Sequence, residues 1–298
     1  MQNHLGASDT DPPNRFLGAT RRAGKTISKT GLLLCTFLAL SAPANVTQAG
    51  SEAPNPTIDL AQFEPSFRED FDSLDLSNWG CLTRWIAHTP WAGDFGDARF
   101  IGPGTNSPFS TQEGILTIRA RLNSKGKWES GMLSSWSRCN NGYAQKFGYF
   151  EIRAKLPSGA GFWPAFWLIG VDRSEGTVEV DIFEYYSHRT NKVSLNIHKH
   201  KGGPDDKKVS FGKRHIVTPG VLSEKFHTYG AELTEDEVIF YLDREEIWRT
   251  PAPEEFRQPM YILVSLAAEE YRMDENTPAS ATMEIDYIHA YQRKSNRL

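Results

Sequence analysis

Apolar and polar residues alternate along most of the chain beyond residue 67, with the two-residue period of strands that cover a core on one face. Leu116, Ile118, Ala120 and Leu122 interleave with Thr117, Arg119 and Arg121, and Phe150, Ile152, Ala154 and Leu156 with Glu151, Arg153 and Lys155. Further apolar or alternating runs lie at residues 162–169, 178–183, 193–198, 226–233, 238–242, 260–267 and 283–291, divided by Pro, Gly, Asp and Asn. No helical period of about 12 or more residues interrupts them. The pattern predicts an all-β sandwich of two antiparallel sheets, continuous as one domain over residues 62–294, with 295–298 as a tail.

The beginning of the chain follows another logic. Arg21, Arg22, Lys25 and Lys29 precede an apolar run at 32–40, which leads into Ala42-Pro43-Ala44 and Thr47-Gln48-Ala49. Positive stretch, short greasy stretch and small-residue exit predict a secretory signal and leader over residues 1–49. The apolar run is less than half of the ~20 residues that a membrane span needs. A secreted or periplasmic mature protein is expected, with no membrane partner. The Pro- and Ala-rich tract that follows predicts a flexible lead-in over 50–61, outside the core. Cys35 leaves with the leader. Cys81 and Cys139 remain in an oxidising compartment, where their distance in sequence leaves pairing open.

Composition narrows the partners. The 298 residues include 8 Trp, 10 Tyr and 17 Phe, an aromatic content that calls for packing or stacking. The net charge is −4, yet the first 50 residues carry five basic side chains against two acidic ones, so the rest is more acidic than the whole. That balance argues against nucleic acid, whose phosphates require surplus Lys and Arg.

The sharpest chemical feature is Glu179-Val180-Asp181-Ile182-Phe183-Glu184. Carboxylates inside an apolar strand need water, a cation or a reacting substrate on their face. Glu179 and Asp181 share a face by the period of two, whereas Glu184 points away unless a β-bulge near Ile182 or Phe183 returns it. With that bulge, and a concave sheet, Glu179 and Glu184 suit glycosidic cleavage, in which one carboxylate attacks the anomeric carbon while a carboxylic acid protonates the departing oxygen. A solvated strand face and a calcium site are the competing readings, although calcium normally takes six to eight oxygens from several directions.

The surroundings favour sugar chemistry. Gly161-Phe162-Trp163-Pro164-Ala165-Phe166-Trp167 lies just upstream, and Trp163 and Trp167 share a face if no bulge intervenes. Trp85, Trp91, Phe95 and Trp136 stand in Gly-, Pro- or Ser-rich surroundings, suited to the walls of an elongated groove. A basic run, with Lys199, His200, Lys201, Lys207, Lys208 and Lys213, follows His198; at a cleft rim it would attract an acidic polysaccharide.

The ordered set formed by Lys146-Phe147-Gly148-Tyr149-Phe150-Glu151-Ile152-Arg153-Ala154-Lys155-Leu156, the Trp strand, the acidic motif, Phe226-His227-Thr228-Tyr229-Gly230 and Ile285-Asp286-Tyr287-Ile288 resembles glycoside hydrolase family 16. The two residues between Asp181 and Glu184 are similar to the bulged motif of its laminarinase-like branch. The resemblance spans residues 67 to 292. It implies a concanavalin-like jelly roll with two curved sheets and a retaining endo-β-glycanase acting on β-1,3-containing glucan or a related, acidic or neutral, bacterial exopolysaccharide. Glu179 would be the nucleophile, Glu184 the acid/base and Asp181 the assisting carboxylate, with His198 approaching the cleft; Trp85, Trp91, Trp136, Trp163 and Trp167 are the substrate-contacting candidates that their own positions in the sequence suggest. A transglycosylase would use the same residues, and a noncatalytic polysaccharide-binding sandwich would use only the groove. No organic cofactor is implied. Some relatives carry structural calcium, for which Asp286 near the region 69–71 is the candidate ligand. Ala268-Glu269-Glu270-Tyr271-Arg272 departs from the Gly/Trp-rich stretch of many relatives, so mechanism transfers better than substrate. A monomer is expected.

Overall fold

The structure, a computed structural model, describes residues 55–91, 93–202 and 208–295, all within one compact unit, Ala53–Leu298. The secretory leader and Lys207 lie outside the described residues.

Two sheets, of ten and nine strands, face each other. In the outer sheet Gly148–Lys155 runs between His227–Leu233 and the long strand Ser280–Arg293. The cleft sheet places Val209–Ile216, Lys192–Lys199, Val178–Glu184, Phe162–Gly170, Met260–Ala268 and Met132–Ser134 side by side, all antiparallel. Two short edge pairings are parallel, Leu76–Ser77 with Trp85–Ile86 and Arg99–Phe100 with Trp128–Ser130, so the sheets are mixed where an antiparallel pattern was expected throughout.

The alternation read from the sequence has a direct physical outcome. Phe150, Ile152, Ile285 and Ile288 of the outer sheet meet Phe166, Leu168, Val180, Ile262 and Val264 of the cleft sheet in one core. Burying each of the larger side chains is worth ~1.5–3 kcal/mol, which sets which face of every strand turns inward. The opposite face of the cleft sheet carries a second cluster, with Trp167, Ile169, Tyr261 and Leu263.

The lead-in is less free than expected. Thr57 bridges to Glu245, the Ile58 amide donates to the Arg244 carbonyl at 3.0 Å, and Ile58 and Leu60 pack on Phe63, Tyr149, Ile239 and Tyr241. Two apolar residues in a Pro-rich tract suffice to cover an aromatic patch on the outer face. Beside that patch Glu151, on the supposed solvent face, is fully buried, satisfied by Tyr149 (2.9 Å), Tyr287 (2.8 Å) and a two-pronged Arg244 contact (2.9 Å each).

Cys81 and Cys139 form a disulfide across a sequence separation of 58, with Cα atoms 5.7 Å apart. Asn141 Nδ2 donates to the Cys81 carbonyl at 2.8 Å, so the 135–143 loop is tied to the 81 loop twice. Replacing both cysteines by Ser is expected to lower unfolding stability by about 2–4 kcal/mol, through the entropy the unfolded chain regains. Denaturant titration of the oxidised protein and the double variant checks this.

Candidate active site

On Val178–Glu184, Val180, Ile182 and Phe183 all enter the core between the sheets. Two consecutive residues point inward because the strand is bulged there. Phe166 pairs with Phe183 and Trp167 with Asp181, which skips Ile182; on the other edge, pairing passes from Asp181–Asn196 to Glu184–Ser194. The extra residue turns Glu184 back to the face of Glu179 and Asp181. Burial of Ile182 and Phe183 together drives the bulge, since an unbulged strand would leave one of them in the cleft and Glu184 in the core.

Cross-strand register arranges the cleft floor in rows. Tyr261, Ile169, Glu179 and His198 form one, and Leu263, Trp167, Asp181 and Asn196 the next. Beyond the bulge come Ser265, Ala165, Glu184 and Ser194. Three donors converge on Glu184: Trp163 Nε1 and Tyr186 OH reach Oε1 at 3.0 Å each, and Asn196 Nδ2 reaches Oε2 at 2.7 Å. Asp181 Oδ2 lies 3.3 Å from His198 Nε2, and His198 Nδ1 is 2.8 Å from the Ser210 hydroxyl. His200 Nε2 contacts Glu179 Oε2 directly. Its backbone is fixed by a donated hydrogen bond to the Thr177 carbonyl, 2.8 Å. Gly176 makes that crossing feasible: it has φ +106, and a Cβ there would stand 2.3 Å from the His200 carbonyl oxygen.

Burial and like charge separate the proton affinities of the acids. Asp181 is held well above the usual carboxylate range, first by burial and then by the charges of Glu179 and Glu184. Glu184 is raised to about 7, mainly by burial and further by Glu179, against the lowering effect of Tyr186 and Trp163. His198 is depressed, chiefly by burial. The group thus holds protons near neutrality, as neighbouring carboxylates that resist joint ionisation do.

Four of the five expected tryptophans border this face. Trp163 stacks on Tyr186 at 5.4 Å, and Trp167 takes Phe95 edge-on at 5.7 Å, so both share the cleft side as their spacing required. Trp136 stacks on Tyr261 at 6.2 Å, and Trp91 is 40% exposed at the rim. Trp85 is a correction. It is fully buried in the core between the sheets, with Phe67 edge-on at 5.8 Å and its Nε1 donating to Glu69 Oε2 at 2.9 Å. On the short strand Trp85–Ile86 its side chain faces inward, and the indole fills volume that no other residue supplies.

Asp286 and Glu69 do not fit a calcium cage. Asp286 contacts the Arg153 guanidinium, whereas Glu69 receives Arg84 (2.7 Å), Trp85 Nε1 (2.9 Å) and the Phe71 amide (3.2 Å). Both carboxylates are already engaged by donors, and among the described residues no three His, Cys, Asp or Glu side chains converge as a metal site. Within the basic run, Lys199 pairs with Glu255 at 2.7 Å and Lys213 donates to the Ile247 carbonyl at 2.9 Å, whereas the charge of Lys208 helps to depress His198 and His200 contacts Glu179.

His200, Asn196 and Tyr186 join the site without having been singled out as its members. A signal existed in the alternation Asn196, His198, His200, which puts three polar side chains on one face beside the acids. Tyr186 lies two residues beyond Glu184, and its role follows only from the stack on Trp163.

Comparison with known proteins agrees with this geometry. The family model described as Glycosyl hydrolases family 16 matches residues 101–289. An endo-1,3-1,4-beta-glycanase of Rhizobium meliloti, EglC, is 31% identical over 259 residues, covering 78% of this chain and 53% of its own length. A second one from that organism, ExsH, is 32% identical over 261 residues, with 79% and 53% covered. The chain thus spans about half the length of these curated relatives. The catalytic domain of an endo-1,3-beta-glucanase (laminarinase) from Thermotoga petrophila superposes with a TM-score of 0.63 at 26% identity, covering 78% of this chain and 99% of that one. Two facing sheets, a bulged strand with its three acids on one face and a match over most of the sandwich lead to one assignment: this chain belongs to glycoside hydrolase family 16.

Proposed function

We propose that the domain is a retaining endo-β-glycanase that cleaves internal bonds of β-1,3-containing glucan or a related, acidic or neutral, bacterial exopolysaccharide. The observation that carries this reading is the bulge at Ile182, which sets Glu179 and Glu184 on one face with a proton on Glu184 near pH 7. Substrate lies along the cleft floor, its rings against Trp163 and the neighbouring aromatics. Glu179 attacks the anomeric carbon and forms a glycosyl-enzyme, while Glu184 gives its proton to the departing oxygen. Glu184, now ionised, then takes a proton from the water that releases the sugar. Asp181, kept protonated by burial, donates toward Glu179 and limits the negative charge around it. Neutral His198 holds Asp181 from the other side, and His200 orients the attacking carboxylate. No step calls for a cofactor. Export to the periplasm or the medium belongs to the same proposal and rests on the pattern of residues 1–49.

The test is product analysis on a β-1,3-glucan and a mixed-linkage β-1,3-1,4-glucan. Viscosity should fall faster than reducing ends accumulate, and the β-anomer should appear first in a time-resolved proton NMR spectrum. The α-anomer appearing first, or release of sugars only from chain ends, would refute the assignment. A pH dependence follows from Glu184. The first step needs its acid form, so kcat/KM should decline as pH rises through about 7 and the proton is lost. A profile flat from about pH 5 to about pH 9 would remove Glu184 from that role.

A further inference from the structure

Beside the catalytic row, a cavity of about 140 Å³ opens between Trp91, Trp136, Tyr261, Asn140, Arg138 and Arg173. Tyr261 occupies the same floor row as Glu179, two strands away, or about 10 Å at the usual strand spacing. A polymer that extends from Glu179 along this row reaches the cavity. Its walls combine two chemistries: indole and phenol faces suited to sugar rings, and two guanidinium groups.

Among the described residues the two guanidiniums are held in place by rings and a hydroxyl, without an ion pair to a carboxylate. Arg173 lies over the Trp91 ring, 4.5 Å from its centroid, and its Nε donates to Thr177 Oγ1 at 3.1 Å. Asp172 and Glu175 flank it in the same turn, yet Asp172 accepts from the Ser174 amide at 2.9 Å, and among the described residues Arg173 contacts Thr177 and the Trp91 ring rather than either acid. Arg138 lies over Trp79 at 4.4 Å and immediately precedes Cys139, so the disulfide anchors the loop that carries it. Arginine stacked on a ring keeps its in-plane N–H groups available, and that edge matches a carboxylate. Two such groups on pinned loops cost little further ordering when an anion binds.

We infer that this cavity is a subsite for a sugar residue bearing a carboxylate, with Arg138 and Arg173 receiving the anion and Trp136 and Tyr261 the ring. The inference rests on the glycanase reading above and narrows it to polysaccharides with acidic residues. It adds a second source of positive charge to the run at 199–213, of which Lys199 and Lys213 are engaged elsewhere while Lys208 acts on His198.

The test uses one β-1,3-glucan in two forms, neutral and partly oxidised at C6 to glucuronate. It reads the ratio of kcat/KM on the acidic form to that on the neutral form for the wild type and for the double variant Arg138→Gln, Arg173→Gln. The wild type should prefer the acidic form by about tenfold or more at low salt, and the preference should shrink as salt screens it. The double variant should lose most of that ratio, and Arg138→Lys, Arg173→Lys should keep part of it. Equal ratios in wild type and double variant, or a wild type indifferent to oxidation, would overturn the subsite while leaving the glycanase reading intact. Should neither glucan be cleaved, the glycanase reading fails instead. Calorimetric binding of a glucuronate-bearing β-1,3-oligosaccharide then decides the subsite on its own: binding weakened about tenfold in the double variant supports it, and no difference rejects it.

Discussion

Glu179→Ala is expected to lower kcat on β-1,3-glucan by about 10⁴-fold or more while leaving the fold intact, because the first covalent step loses its nucleophile. Glu179 sits on the cleft face, half-buried, beside His200 and opposite Ile169, and contributes nothing to the core between the sheets. Its removal also takes one negative charge from beside Asp181 and Glu184, so the folded protein should be no less stable at neutral pH. The discriminating measurement is chemical rescue. With an activated aryl β-glycoside, azide can occupy the space the carboxylate leaves and attack the anomeric carbon from the same side, giving an α-glycosyl azide. A variant that keeps a tenth of the wild-type activity, or that yields only the β-azide, would assign the nucleophile to another residue.

The second large effect falls on Glu184. Glu184→Gln should cost about 10²–10⁴-fold on polysaccharide, where the leaving alkoxide needs a proton, and far less on aryl glycosides whose leaving group departs unaided. In this variant azide should return the β-glycosyl azide, since Glu179 still forms the glycosyl-enzyme. The decline in activity above about pH 7 should vanish with the group that causes it. Equal losses on substrates of widely different leaving-group acidity would exclude the acid/base role.

The same substitution has a stability signature with a defined sign. Glu184 titrates near 7 in the folded protein against an ordinary 4.5, so between those values the folded state holds a proton that the unfolded chain has released. Wild-type stability from this group is therefore highest below about pH 4.5 and decreases as pH rises toward 7. Gln does not titrate. The difference between variant and wild type should shift by about 2 kcal/mol in favour of the variant from about pH 4 to about pH 8, a full pKa unit being worth about 1.4 kcal/mol and water at the cleft mouth taking part of the effect. Fixed gains or losses among Trp163, Tyr186 and Asn196 cancel in that comparison. Thermal melts at the two pH values measure it.

Arg138 and Arg173 would make the cleft asymmetric: cationic next to Glu179, and lined near Glu184 by Tyr186, Glu269 and Arg272. Glu269 is raised by burial and accepts from Arg272 at 2.7 Å, so that end carries a compensated pair where the Glu179 end offers two cations that make no ion pair among the described residues. A chain with acidic residues would then enter in a preferred direction.

Much of this was legible in the chain because strands impose a short, strict period. Alternation alone placed the inner faces of 116–120 and 150–156, and Trp163 and Trp167 had to share a side; Leu122, at the end of its strand, is 41% exposed where the period put it inside. The bulge was legible for the same reason: two neutral, bulky residues between Asp181 and Glu184 could both be buried only if the strand gained a residue. Isolated residues carried no such constraint. Trp85, in a loop-like context, gave no period from which to read its inward face, and Ile58 and Leu60 looked like lead-in until Tyr149 and Tyr241 were seen to need a cover.

The sequence by itself determined the sandwich, the face shared by Glu179 and Asp181 and the likeness to the family, because each depends on spacing within one strand or on order along the chain; that Glu184 joins that face was conditional on a bulge, which the register of the sheet supplies. Tertiary structure alone decided that Cys81 meets Cys139, that His200 touches Glu179, and that Arg138 and Arg173 line one cavity with Tyr261. These meetings join residues far apart in sequence through sheet register and loop closure, and no local pattern of polarity encodes the distance between two loops.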